Sequence, residues 1–241
     1  MSERVVLVTG STSGIGEAVA RRFAAAGDVV VLNSSRSVDA GERLARELGR
    51  AHYVCADIAD GAACDWLVAE VVARYGRLDV LVNNAGRTKM IPHADLAAAN
   101  VDEWRQIFEL NVFGTWQLSV AAMDALRATR GAVVNVSSVA GVRPTGSSIP
   151  YAASKAAVNH MTLLLARVVG PEVRVNAVAP GLIDTPWTAP WETVRERVSA
   201  STPLRRTGTP EDVADVVFSL AGSPYVTGQV VVVDGGLSLV T

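Results

Sequence analysis

Short apolar runs alternate with longer amphipathic stretches along most of the chain. The runs at residues 4–9, 29–33, 52–56, 78–83, 132–137, 173–179 and 229–233 are valine-rich in several cases and continuous rather than alternating. That pattern predicts parallel strands covered on both faces. Helix-like periodicity fills the gaps at 14–26, 38–48, 62–75, 101–126, 151–169 and 210–220. Asp102 is placed to cap the fourth helix, and Thr209, followed by Pro210, to cap the last. A strand–helix–strand rhythm with right-handed crossovers predicts an α/β fold, a doubly wound parallel sheet with helices on both faces. The stretch 185–208 breaks the rhythm with Pro186, Pro190, Pro203, Trp187 and Trp191, and reads as a flap rather than a second domain.

Composition supports this picture and narrows the function. Of 241 residues, 49% are hydrophobic and 19% charged, as a fully covered sheet requires. A net charge of -2 gives no electrostatic reason to expect nucleic acid or an anionic membrane as partner. Two cysteines, Cys55 and Cys64, make neither a disulfide framework nor a zinc site, and Cys55, closing an apolar run, reads as a buried hydrophobe. Residues from Met1 and Ser2 run directly toward the first strand, and no window has a membrane span's length of apolar residues. A cytoplasmic setting is the resulting expectation.

Chemistry first shows where the first strand ends. Gly10-Ser11-Thr12-Ser13-Gly14-Ile15-Gly16 follows it and opens a helix. Glycines there permit a sharp turn and let main-chain N–H groups reach a pyrophosphate at the helix N-terminus. Tyr151 and Lys155, four apart on a predicted helix, share a face. A phenol beside an ammonium can be tuned toward proton exchange near neutrality. Ser138, just past the fifth strand, lies at the carboxyl edge where ligands bind such sheets. Its hydroxyl can hold a substrate oxygen near Tyr151. His52, His93 and His160 do not compete for this chemistry, His93 alone lying where it could border a substrate pocket.

Thr9-Gly10-x-x-x-Gly14-Ile15-Gly16, Asn83-Asn84-Ala85-Gly86, Asn111, Ser138, Tyr151-Ala152-Ala153-Ser154-Lys155 and Pro180-Gly181 with Thr185 follow one another in the order of the short-chain dehydrogenase/reductase family. The chain resembles that family over nearly its whole length. The stretch from Arg206 to Ala214 is most similar to the 3-oxoacyl-[acyl-carrier-protein] reductase-like branch. The resemblance implies a single Rossmann domain with strand order 3-2-1-4-5-6-7. It also implies a catalytic tetrad of Asn111, Ser138, Tyr151 and Lys155. Asn111 would hold a water relaying protons from Lys155 to solvent, and Lys155 would also bind the nicotinamide ribose. Asp57 and Ile58 would hold adenine. Asn83, Ala85 and Gly86 would line the adenosine side, and Pro180, Gly181, Ile183 and Thr185 would flank the carboxamide.

Ser34 stands where NAD-preferring relatives carry an acid, with Ser35 and Arg36 following. Hydroxyls and a guanidinium suit a 2′-phosphate, so NADP(H) is expected over NAD(H). The expected reaction interconverts a carbonyl and a secondary alcohol, with a 3-oxoacyl thioester or similar ketone as substrate. The alternatives are an NAD-dependent alcohol, steroid or sugar dehydrogenase, and a catalytically silent dinucleotide-binding regulator. The resemblance further implies a homotetramer or homodimer.

Overall fold

The computed structural model describes residues 3–240. Met1 and Ser2, expected to lead into the first strand, lie outside the described residues. Seven strands form one sheet: β1 (Val5–Thr9), β2 (Val29–Ser34), β3 (Ala51–Cys55), β4 (Val80–Asn83), β5 (Ala132–Val136), β6 (Arg174–Pro180) and β7 (Val230–Val233). All neighbours are parallel, in the expected order β3-β2-β1-β4-β5-β6-β7.

Alternate residues of each strand serve opposite faces. Val5 and Leu7 of β1 pack with Leu67 of α3 (Gly61–Tyr75), Leu118 and Leu126 of α5 (Thr115–Thr129), and Leu165 of α6 (Ile149–Val169). Val6 and Val8 pack on the other side with Val19 and Phe23 of α1 (Gly14–Ala25), Leu44 of α2 (Val38–Leu48) and Val217 of α8 (Pro210–Gly222). Both faces are therefore covered, which is why the strands read as unbroken apolar runs.

Three local expectations need correction. The long helix expected at 101–126 is two helices, α4 (Val101–Phe108) and α5, joined by a π-helical segment at Glu109–Gly114. The cap of α4 is Asn100, whose Oδ1 accepts from the N–H groups of Asp102 and Glu103 at 3.1 Å each. Asp102, expected as the cap, sits inside the first turn. Cys55 is exposed, because β3 is the outermost strand, while Cys64 is buried. The expected start of α8 holds: Thr209 and Asp212 form a reciprocal capping box with Pro210 in the first turn. The 185–208 stretch contains one further helix, α7 (Glu192–Ser201).

The carboxyl ends of the strands share one edge of the sheet. The chain order reverses there between β1 and β4, which opens a crevice between their loops.

Candidate active site

A cleft of about 930 Å³ runs along that edge. One end is walled by Ser34, Ser35 and Arg36 from the end of β2, then by Asp57 and Ile58 after β3. Gly10, Thr12, Ser13, Gly14 and Ile15 form its floor, with Ala85 and Gly86 opposite. At the far end stand Ser138, Tyr151 and Lys155, with Pro180, Gly181, Ile183 and Thr185 beside them.

The glycine turn shows why those residue types are required. Gly10 has φ +60°, and a Cβ there would lie 2.9 Å from the Ala85 Cα. A Cβ on Gly16 would lie 2.3 Å from the Gly10 carbonyl oxygen. Gly16 is thus a packing residue beneath the turn, not part of the cleft wall. Ser11 is likewise buried, its hydroxyl accepting from the Asn33 N–H at 2.9 Å to tie the turn to β2. Thr9 fixes the opposite loop, its hydroxyl accepting from the N–H groups of Asn84 and Ala85 at 3.0 Å each. Ser13 stands at the N-cap of α1 without a side-chain cap bond. The first N–H groups of that helix therefore remain available to an anion. Glu17, in the same turn, is held by Arg21 at 2.8 Å, which offsets its charge. A close main-chain approach, open helix donors and a cleft spanning from Arg36 to Tyr151 fit a dinucleotide.

Two expected site residues point elsewhere. Asn83 is buried with its side chain in the interior, donating to the Ser119 hydroxyl at 3.0 Å and to Asn135 Oδ1 at 2.9 Å. Its neighbour Asn84 lines the cleft instead and donates to the carbonyls of Thr9 and Gly10 at 2.9 and 3.0 Å. Asn111 sits in the π-helical segment, buried. Its amide donates to the Arg87 carbonyl and to the Ser154 hydroxyl at 3.0 Å each, and its Oδ1 accepts from the Arg87 N–H at 2.8 Å. Its side chain is a clamp between the β4 loop and α6.

The reacting end is built on α6. Ser148 caps that helix, accepting from the Tyr151 N–H at 3.4 Å, and Pro150 occupies its first turn. Tyr151 therefore projects from the first turn, with Lys155 one turn further on. The Lys155 ammonium is buried and donates to the Val136 carbonyl at 2.9 Å, 5.8 Å from the Tyr151 ring centroid. Burial lowers its pKa from 10.5 to about 8. Burial likewise raises the Tyr151 phenol, and the Ser138 hydroxyl pulls it part of the way back. The lowering expected from Lys155 does not appear; desolvation of the phenol sets the direction of the shift. The Ser138 oxygen accepts from the Ala140 N–H at 3.1 Å, so its own proton is free to face a ligand or Tyr151.

The flap closes this end. Trp187 packs edge-on to Tyr151 with ring centroids 6.5 Å apart, and Trp191, Val194 and Val198 extend the wall. Asp184 pairs with Arg195 of α7 at 2.9 Å and accepts from Thr207 Oγ1, beyond that helix, at 2.6 Å. His93 is exposed and outside the cleft wall, and His160 is exposed on α6. Val136, Ser154 and Leu237 are contributors that local reading did not single out. Ser154 lies inside the Tyr-x-x-x-Lys spacing and was the one that could have been found; Leu237 comes from the chain's far end.

An open parallel sheet with a phosphate-type turn and a serine–tyrosine–lysine group on one cleft defines a nucleotide-dependent oxidoreductase acting on CH–OH and C=O groups. A family model described as Enoyl-(Acyl carrier protein) reductase matches residues 10–238. The chain is 59% identical to a Streptomyces violaceoruber protein assigned as ketoacyl reductase 2 of the granaticin polyketide synthase, covering 98% of this chain and 96% of that one. It is 41% identical to the 3-oxoacyl-[acyl-carrier-protein] reductase FabG of Thermotoga maritima, over 97% of each. A solved short-chain dehydrogenase/reductase structure from Burkholderia xenovorans superposes with a TM-score of 0.92 at 40% identity over 99% of both chains. The chain belongs to the short-chain dehydrogenase/reductase family.

Proposed function

We propose that this protein reduces a 3-oxoacyl thioester or similar ketone with NADP(H), with Tyr151 as general acid. The observation that carries the reading is the placement of Ser138, Tyr151 and Lys155 at one end of a cleft whose other end is walled by Ser34, Ser35 and Arg36. Relatives named ketoacyl and 3-oxoacyl reductases support the substrate class.

Gly10, Thr12, Ser13, Gly14 and Ile15 would hold the pyrophosphate, Asp57 and Ile58 the adenine, and Ser34, Ser35 and Arg36 the 2′-phosphate. The bound reduced nicotinamide supplies the hydride. Ser138 donates its free proton to the substrate oxygen and holds it beside Tyr151. As the carbonyl becomes an alkoxide, the Tyr151 O–H bond breaks and the proton passes to that oxygen, giving the alcohol and a phenolate. The buried Lys155 ammonium stabilises the phenolate, and the π-helical segment at Asn111 opens a path for reprotonation from solvent. Asn111 and Ser154 act as positioning residues in this scheme. A silent binder would have no use for this arrangement.

We also read the chain as one domain with a substrate flap at 185–208, working in the cytoplasm as a homotetramer or homodimer. No helix among the described residues is long and apolar enough to cross a membrane, and both cysteines are free thiols. A panel of 3-oxoacyl thioesters, simple ketones, steroids and sugars, run with NADPH and with NADH, tests the reading. The highest kcat/KM is expected for a 3-oxoacyl thioester or related ketone with NADPH. A higher value with NADH, or activity confined to sugars or steroids, would refute it.

A further inference from the structure

Behind Ser34, on the neighbouring edge strand, stands a tyrosine that the proposed reaction does not use. Tyr53 lies outside the cleft wall, but its hydroxyl is 2.8 Å from Ser34 Oγ and 3.3 Å from the Ser34 carbonyl oxygen. Its ring lies flat on α2 at Gly41, where a Cβ would come within 2.1 Å of Tyr53 Cδ2. Any larger residue at position 41 would push the ring away, so backbone and ring fix each other and the hydroxyl has little freedom.

Ser34 Oγ also accepts from the Ser37 N–H at 3.2 Å, at the start of α2. A serine hydroxyl has two lone pairs and one proton. If the Tyr53 phenol donates across the short contact, both lone pairs of Ser34 are filled. Its proton must then find an acceptor elsewhere, and the cleft is the side on which Ser34 is exposed. If Ser34 donates instead, the phenol turns to the longer contact to the Ser34 carbonyl or to Cys55, and Ser34 presents a lone pair rather than a proton to the cleft. A phosphate oxygen only accepts, so it selects the first arrangement. A ribose hydroxyl can donate or accept and selects neither. Burial raises the pKa of the Tyr53 phenol, which keeps it a neutral donor at physiological pH. The Arg36 guanidinium, also in the wall, has no hydrogen bond or ion pair among the described residues, while its carbonyl accepts from the Val38 N–H at 3.0 Å.

We propose that Tyr53 is a specificity-positioning residue: it fixes the polarity of the Ser34 hydroxyl and so shifts binding toward a dinucleotide bearing a 2′-phosphate. The inference deepens the NADP(H) reading above and rests on it for its ligand. It adds a residue one layer behind the wall, on β3, whereas Ser34 ends β2 and Arg36 lies in the bend that follows.

The test is the dissociation constants of NADPH and NADH, read by nicotinamide fluorescence, for wild type and Tyr53→Phe, Ser34→Ala and the double variant. Tyr53→Phe keeps the ring on Gly41 and removes only the donor. It is expected to weaken NADPH roughly threefold to tenfold, the net worth of one hydrogen bond, while NADH binding stays unchanged. The double variant should bind NADPH no more weakly than Ser34→Ala alone, because both act through one hydroxyl. Equal weakening of both cofactors, or additive losses in the double variant, would overturn the proposal and leave Tyr53 as packing. The wild-type ratio judges the NADP(H) reading separately. If wild type binds NADH more tightly and Tyr53→Phe still shifts the ratio against NADPH, the cofactor reading fails and the role of Tyr53 stands.

Discussion

Lys155 shows how burial sets chemistry at the residue scale. Among the described residues its ammonium donates one hydrogen bond, to the Val136 carbonyl, and desolvation brings its pKa down to about 8. The free protein therefore loses this charge within the working range. Because kcat/KM reports groups of the free enzyme, the reductive kcat/KM is expected to fall as pH rises through about 8. A profile flat from pH 7 to 9.5 would contradict this. The same shift bears on stability. The folded pKa lies below the ordinary 10.5, so the native chain releases the proton first, and this group's contribution to stability rises with pH between about 8 and 10.5. The i, i+4 pairing of Tyr151 with Lys155 was legible in the sequence because helix geometry enforces it. The direction of the Tyr151 shift was not, because it depends on how deeply the phenol is buried. Asn83 was legible in principle: strand parity puts it on the face of Leu81, toward α5, and away from the cleft. Family spacing alone pointed the other way.

At the scale of elements, strand and helix positions were read from periodicity to within a few residues. The π-helical segment was not, since a widened turn leaves no hydropathy signature; a buried asparagine in mid-helix was its only trace. Cys55 was misread because local context says nothing about which strand is outermost, although the strand order that the family implies would have placed β3 at the edge. Two helices carry an unexplained feature: α5 and its lead-in expose Phe113, Trp116 and Val120, and α6 exposes Leu163, Leu164 and Val168. Phe113, Trp116 and Val120 fall about one turn apart, as do Leu164 and Val168 with Leu163 beside them, so each helix carries an apolar patch on its outer surface. The proposed homotetramer or homodimer would pair these faces between copies. Light scattering is expected to give a mass of two or four chains, and Val120→Glu combined with Leu164→Glu should shift it toward one. A monomeric mass for the wild type would contradict the oligomer.

For the whole molecule, the sheet brings together groups far apart in the chain: Gly10 from the turn after β1, Ser138 from the loop after β5, Tyr151 and Lys155 from α6, and Leu237 near the C-terminus. Topology, not any single motif, makes them one cleft. The central claim is that Tyr151 delivers the proton while the cofactor sits independently along the β1 and β2 loops. The most direct measurement is turnover of Tyr151→Phe with NADPH and the best ketone of the panel, alongside its NADPH dissociation constant. Turnover is expected to fall about a hundredfold or more, the usual scale of general acid catalysis, with the dissociation constant within a few-fold of wild type. Turnover kept near the wild-type rate would contradict it.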